Sequence, residues 1–294
     1  MKILITGISG FLGSHLARHL LHLGHTVSGV IRTTPPRSPL PDGIALHTIG
    51  DDPARLHDAL AVERPDLVVH LAAHYVAEHR AEDIASLMRS NVEFGAHVLD
   101  AMARCGCTAM VAAGSAWQHG AAPVNLYAAT KNAFFALADY YCSAIGLRLI
   151  ELAVYDSYGP DDPRPKLMNL LKHYAATADI LDMTPGAQRL HLVHIDDTVH
   201  GFDLACRQVM ELNGGEKRCY RLPSPEVISL RDVVAAFNAA DPRHPVNVAW
   251  GAREYRHREV FAPWEDAPPL PGWHARITLA DGLAHLRAAD RKEG

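Results

Sequence analysis

The stretch Lys2-Ile3-Leu4-Ile5-Thr6-Gly7-Ile8-Ser9-Gly10-Phe11-Leu12-Gly13 constrains the fold of this chain more than any other feature. An apolar run ends in glycines spaced Gly-x-x-Gly-x-x-Gly, and a helical pattern follows from Phe11 to Leu23. Strand, tight turn and helix start, in that order, form the context in which a glycine loop holds a dinucleotide pyrophosphate. Gly7 permits the turn. Gly10 lets backbone amides, those of Phe11 and Leu12 included, approach an anion at the helix N-terminus, and Gly13 lets the helix lie close to the strand.

The pattern after this loop extends the same unit. Apolar runs at Ile3–Thr6, His25–Ile31, Leu67–Leu71, Ala109–Ala113 and Leu147–Ala153 read as strands. Phe11–Leu23, Ile84–Arg104 and Leu126–Ile145 have the apolar spacing and length of helices. The alternation predicts an α/β fold, a doubly wound parallel sheet of Rossmann type. Pro35-Pro36, Pro39 and Pro41 place a surface loop after the second strand. Past Tyr158 turn signals crowd in at Gly159-Pro160, Thr184-Pro185-Gly186 and Pro223-Ser224-Pro225, as in a smaller substrate-binding part. Leu192-Val193-His194-Ile195-Asp196-Asp197 reads as one more buried strand, so the two parts are expected to interleave. The dinucleotide-binding domain is assigned to residues 1–157, with 191–212 returning to it, and the substrate part to 158–294. The polar end Asp290–Gly294 is expected to fray.

Composition narrows the function classes. Apolar residues make up 48% of the sequence and charged residues 21%, as in an ordinary soluble globular protein. No segment reads as a membrane span, and the N-terminus runs straight into a strand, so no signal peptide and a cytoplasmic location are expected. A formal charge of −5 argues against a general nucleic-acid surface. Cys105, Cys107, Cys142, Cys206 and Cys219 form no paired framework and are read as reduced thiols. The 19 histidines show no two-His helical spacing around a Glu, so no metal site is expected.

Two further sites carry chemistry. Arg32 stands where the second strand ends, followed by Arg37 and by no acid. An acidic residue there would bind an adenosine ribose hydroxyl, whereas arginine accommodates a 2′-phosphate, so NADP(H) is the expected cofactor. Asp51, after the Ile44–Ile49 run, is a candidate adenine contact. Tyr127-Ala128-Ala129-Thr130-Lys131 puts a phenol and an ammonium on one helix face. A cation there is expected to lower the phenol toward a useful acid or base. Tyr127 would protonate an alkoxide, Lys131 would hold cofactor ribose hydroxyls, and Ser115, just after a strand, would hydrogen-bond a reacting carbonyl oxygen.

With these residues the chain resembles the extended short-chain dehydrogenase/reductase family. Gly7, Gly10 and Gly13 match its cofactor loop, His70-Leu71-Ala72-Ala73 its fourth-strand motif, Asn91-Val92 its helix asparagine, and Ser115, Tyr127 and Lys131 its catalytic set. The resemblance implies that Leu71, Ala72, Ala73 and Tyr155 contact the cofactor and that Asn91 positions Lys131 through water. Ser115-Ala116-Trp117-Gln118-His119, Pro123-Val124-Asn125-Leu126 with Tyr127–Lys131, and Tyr155-Asp156-Ser157-Tyr158-Gly159-Pro160 look like the nucleotide-sugar 4-ketoreductases, above all the CDP-abequose and CDP-paratose synthase group. Trp250-Gly251, Tyr255–Val260 and Leu270–Trp273 resemble the C-terminal end of that group. The implied substrate is a nucleotide-linked deoxysugar, touched by Ser115, Trp117, Tyr127, Asp156, Lys166 and Arg189, with His79, His119, Trp117 and Tyr155 as candidates for the sugar pocket. Asp156 and Leu190 depart from the asparagine and arginine common in relatives. That departure leaves Arg164, Lys166 and Arg189 as substitutes for the diphosphate. The resemblance also implies a homodimer pairing the Asn91–Arg104 and Leu126–Ile145 helices through Val98, Leu99, Phe134, Leu137, Ala138 and Tyr141. An NAD-dependent epimerase on the same fold is the competing reading, and a non-catalytic NADP-binding regulator the weakest. A 4,6-dehydratase is disfavoured, because no carboxylate stands in Ser115-Ala116-Trp117.

Overall fold

The computed structural model describes residues 1–33 and 39–293, with side chains as far as 287, so Pro35-Pro36 and Arg37 lie outside the described residues. Through the first half the chain alternates β1 (Lys2–Thr6), α1 (Phe11–His22), β2 (Thr26–Ile31), β3 (Ala45–Thr48), α2 (Pro53–Glu63), β4 (Leu67–His70), α3 (Asp83–Met88), α4 (Phe94–Cys105), β5 (Ala109–Ser115), α5 (Leu126–Ile145) and β6 (Arg148–Val154). There follow β7 (Asp156–Tyr158), α6 (Leu167–Thr177), β8 (Ile180–Met183), β9 (Arg189–Leu190), β10 (Leu192–His194) and α7 (Ile195–Gln208). The chain ends with β11 (Lys217–Arg221), β12 (Ile228–Ser229), α8 (Leu230–Ala240), β13 (Asn247–Trp250) and α9 (Leu279–Glu293).

Seven strands in the order β11-β6-β5-β4-β1-β2-β3 form one sheet, and every neighbouring pair is parallel. A parallel sheet needs crossover helices and is stable only with both faces covered. The alternation within β1 shows how this is met. Ile3 and Ile5 pack with Leu16 and Leu20 of α1 and Phe202 of α7, while Leu4 faces Leu60 of α2, Met102 of α4 and Phe134 of α5. The strand order reverses at β1, so the glycine turn opens at a topological switch point, where ligands bind in such sheets. A third core joins Leu171 of α6, Leu181 of β8, Val233 and Phe237 of α8, and Leu286 of α9. Both α7 and β11 return to the main sheet from the C-terminal half. Among the described residues no helix is long and apolar enough to cross a membrane.

Three elements differ from the sequence expectation. The helix read over Ile84–Arg104 is split by a π-helical turn at Arg89–Glu93. One extra residue in that turn re-aims Asn91, whose amide bridges the His74 backbone and Thr130 on α5. The strand read over Leu192–Asp197 stops at His194, and it pairs with β7 outside the main sheet. The His194 imidazole accepts the Asp196 N–H and caps α7, which leaves Asp196 and Asp197 in a first helical turn that favours carboxylates. The end expected to fray is helical through Glu293.

The paired-helix face is also smaller than expected. Val98, Leu99, Phe134 and Ala138 are at most 1% exposed and cover the sheet, whereas Leu137 and Tyr140 of α5 are 36% and 66% exposed.

Candidate active site

A groove of about 400 Å³ lies at the C-terminal ends of β1, β2 and β4. Gly7 and Gly10 of the turn line it, with Arg32 at the end of β2, Asp51 beyond β3, and Leu71, Ala72 and Ala73 after β4. Gly7 has φ +70°, and a Cβ there would sit 2.7 Å from the Ala72 nitrogen. A Cβ on Gly13 would sit 2.3 Å from the Gly7 carbonyl oxygen, so both positions exclude a side chain. No side chain caps α1 at Gly10, in contrast to the caps that Asp52, Asn125 and Ser229 give α2, α5 and α8. The first-turn amides, including those of Phe11 and Leu12, thus suit an anion. The Phe11 ring itself turns into the core, beneath the Arg164 guanidinium at 4.4 Å. Arg32 is exposed and donates to Ser90 Oγ at 3.2 Å. A cofactor with a pyrophosphate and an adenosine end therefore fits these residues.

Ser115 ends β5 and opens a single 3-10 turn, Ala116–Gln118. Its Oγ accepts the Trp117 N–H at 3.2 Å, and its own N–H donates to Gln118 Oε1 at 3.0 Å. Asn125 caps α5 by accepting the Ala128 N–H at 2.9 Å, which fixes where Tyr127 and Lys131 leave the helix. The Tyr75 ring meets Tyr127 edge-on at 5.0 Å and lies 6.2 Å from the Trp117 ring, which draws the serine turn and the tyrosine together.

The electrostatics correct one expectation. Burial pushes the Tyr127 phenol above its ordinary range, Tyr75 adds to this, and the cation that opposes it is Arg164 rather than Lys131. Tyr127 is thus held as a neutral O–H donor. Lys131 is 2% exposed, with its ammonium 5.8 Å and 6.0 Å from the Phe134 and Phe135 ring centroids. Burial pulls it down to about 8, against the upward pull of Glu151. Burial and the Lys131 charge bring His70 down to about 3, so the imidazole that meets Thr6 Oγ1 at 2.8 Å stays neutral. Asn91 reaches Thr130, at 2.9 Å, beside Lys131 in the chain.

A larger cleft of about 870 Å³ opens between the Ser115 turn, the start of α5 and the segment around 256–264. Trp117, His79, His119, Asp156 and Arg189 line it, as does Tyr155. Tyr155, expected both at the cofactor and in the sugar pocket, lines this cleft rather than the cofactor groove and donates its hydroxyl to the Trp264 carbonyl at 2.5 Å. The substitutes expected for a diphosphate divide. Lys166 is bound to Asp156 at 2.8 Å; burial pushes that carboxyl up, but the ammonium beside it holds it below its ordinary value. Arg164 grips Asp162 with two nitrogens at 2.7 Å and also donates to the Ser157 carbonyl. Arg189 remains on the cleft wall, with one nitrogen on the Val227 carbonyl.

Sequence reasoning missed four cleft residues as site candidates: Arg256, Arg258, His191 and Trp264. Arg256 and Arg258 lay in a tail segment already matched by resemblance, which was the available signal. It also missed Glu151, a carboxylate 3% exposed in the middle of β6, which an acid within an apolar strand run should have flagged. His119, Glu151 and Cys219 bring a nitrogen, an oxygen and a sulfur within 4.8 Å of one another. Glu151 Oε1 accepts from Gln118 and His119, and burial pushes the Cys219 thiol up to about 12, so the three groups form a hydrogen-bonded network behind the serine turn.

The chain is similar to known proteins in sequence and in fold. The profile of the NAD dependent epimerase/dehydratase family matches residues 3–217. The CDP-abequose synthase of Yersinia pseudotuberculosis is 27% identical over 270 residues, 90% of this chain and 92% of that protein. A dTDP-glucose 4,6-dehydratase of Streptomyces antibioticus is 27% identical over 308 aligned positions, 89% of each. The solved UDP-glucuronic acid 4-epimerase from Bacillus cereus, in complex with UDP-glucuronic acid and NAD, superposes with a TM-score of 0.86 over 100% of both chains at 20% identity.

Proposed function

Because this chain belongs to the NAD dependent epimerase/dehydratase family, we propose that it reduces the 4-keto group of a CDP- or dTDP-linked deoxysugar with NADPH. Arg32 carries the reading: it stands on the rim of the cofactor groove at the end of β2, with no acid at the strand end to repel a 2′-phosphate. NADPH is the form of the phosphorylated cofactor kept for reductions. The similarity to a CDP-abequose synthase over most of both chains supports the same choice.

NADPH held by the groove would provide the hydride for the ketone carbon. Ser115 holds the carbonyl oxygen, and Tyr127, kept neutral by burial, donates the proton to that oxygen as negative charge develops on it. Lys131 would hold the cofactor's ribose hydroxyls as a cation. Trp117, Tyr155 and His119 surround the sugar, while Arg189 and Arg258 reach the diphosphate from the cleft wall. A dehydratase would require an acid and a base in the Ser115-Ala116-Trp117 turn, which carries none.

Incubation with a panel of CDP- and dTDP-linked 4-keto-6-deoxy and 3,6-dideoxy sugars should consume one NADPH per alcohol formed, followed by absorbance and product analysis. Purified protein that carries tightly bound NAD⁺ and interconverts two nucleotide sugars without net oxidation would instead establish an epimerase.

The reading includes a homodimer through α4 and α5, for which Leu137 and Tyr140 remain exposed. Sedimentation at micromolar concentration should give a dimer, and a monomer at that concentration would exclude the pairing.

A further inference from the structure

We propose that Glu151 is a positioning residue for hydride transfer, holding the Ser115 turn through Gln118 and joining that turn to the C-terminal wall of the sugar cleft through His119 and Trp264. The inference rests on the reductase reading for the reaction it serves, but its geometry stands apart from the Ser115, Tyr127 and Lys131 set.

The carboxylate is 3% exposed and sits in the middle of β6, where its strand neighbours are Ala112 and Cys219. The fold leaves room for it: a Cβ on Gly114 would come within 2.7 Å of Glu151 Oε1. That oxygen accepts from Gln118 Nε2 at 2.6 Å, and Gln118 Oε1 in turn takes the Ser115 N–H at 3.0 Å. The Gln118 carbonyl accepts from Asn132 of α5 at 2.8 Å, so the serine turn is tied to the helix of Tyr127 and Lys131. On its other side Glu151 Oε1 meets His119 Nε2 at 2.9 Å. The Trp264 ring stacks on this imidazole at 4.0 Å and 16°, and the Trp264 carbonyl holds the Tyr155 hydroxyl. A single buried oxygen thereby joins the residue that holds the ketone to the wall that encloses the sugar.

A charge is removed from water only at a cost, and a leucine in β6 would cover the sheet without it. The groups facing the carboxylate show what the charge does. From the serine turn come the Gln118 amide and His119, and from β11 the Cys219 thiol, kept as S–H by burial. From α5 comes Lys131, on which Glu151 is the anion that opposes the effect of burial. His70 of β4, whose imidazole the Lys131 charge also lowers, is neutral. Glu151 therefore also supplies the negative potential that favours the Lys131 ammonium.

Glu151→Gln keeps the volume and removes the charge. At pH 6, where Lys131 keeps its ammonium in both proteins, NADPH affinity should stay within about twofold while kcat falls roughly 10- to 100-fold, the usual effect of small misplacement at a reacting centre. NMR of the protein labelled with ¹³C at lysine Cε, with Lys131 assigned by Lys131→Met, provides a readout independent of turnover. The Lys131 midpoint, about 8 in the wild type, should drop by about one pH unit or more in Glu151→Gln and return in Glu151→Asp. Gln118→Met, which keeps the charge but cuts the link to Ser115, should lose kcat without moving the midpoint. Folded Glu151→Gln with an unchanged midpoint, or Gln118→Met with wild-type kcat, would overturn the proposal. Wild-type protein that consumes no NADPH would overturn the reductase reading alone, since the titration still judges Glu151.

Discussion

Tyr127→Phe should lower kcat for ketone reduction by roughly 10²-fold or more while leaving NADPH affinity within about twofold, the usual worth of a positioned general acid. The substitution deletes one hydroxyl and keeps the ring that Tyr75 meets edge-on, so the start of α5 and its Asn125 cap are expected to stand unchanged. What disappears is the O–H donor. Burial pushes that phenol up and away from phenolate, which suits a group that must deliver a proton rather than remove one. The pH dependence of the wild type follows from its neighbour one turn along. Lys131 is lowered to about 8 by burial, so the ammonium is present below that pH and is lost as pH rises through it. Activity that depends on the ammonium should therefore fall above pH 8 in the wild type. Single-turnover NADPH oxidation across pH, with both proteins saturated in cofactor, measures the two effects together. A Tyr127→Phe enzyme retaining more than about a tenth of wild-type kcat would remove Tyr127 from the proton-transfer role.

The sheet and the glycine turn were legible because local rules and the global fold agree there. Ile3 to Gly13 has one strand-turn-helix solution, and the helices covering both faces make the strands continuous apolar runs. Interruptions within elements were less legible. The π-helical turn at Asn91 depends on His74 and Thr130, which only tertiary structure brings to it. The strand ending at His194 gives way to a helix because a histidine caps it, a residue outside the usual Ser, Thr, Asp and Asn set. The site shows the same division. Ser115, Tyr127 and Lys131 are spaced along the chain in a recognisable way, but Lys131 is lowered by burial and raised in turn by Glu151, twenty positions away in β6, a balance only the fold creates. Likewise Asp156 and Lys166 looked like separate substrate contacts in sequence, and the fold makes them partners of each other.

Arg32→Asp should weaken NADPH binding by about 2–4 kcal/mol, equivalent to roughly 30- to 10³-fold in Kd, and reverse the preference over NADH. The guanidinium is exposed at the mouth of the groove, with one nitrogen on Ser90 Oγ at 3.2 Å, which steadies the side chain without neutralising it. Its other donors suit the oxygens of a 2′-phosphate, and charge-assisted bonds to phosphate are stronger than those a ribose hydroxyl makes. An aspartate in its place reverses the local charge: it repels the phosphate and accepts from the 2′-hydroxyl of the unphosphorylated ribose. The effect should fall mainly on cofactor affinity, because Arg32 lines the groove and not the sugar cleft that holds Trp117 and Arg189. Arg32→Ala separates the two contributions, since it loses the donors without adding repulsion and should lie between wild type and Arg32→Asp for NADPH. Ser90→Ala should cost far less than either, as it removes only the steadying contact. Fluorescence titration of all four proteins with both cofactors gives the comparison, and a wild-type protein that binds NADH as tightly as NADPH would strip Arg32 of its selecting role.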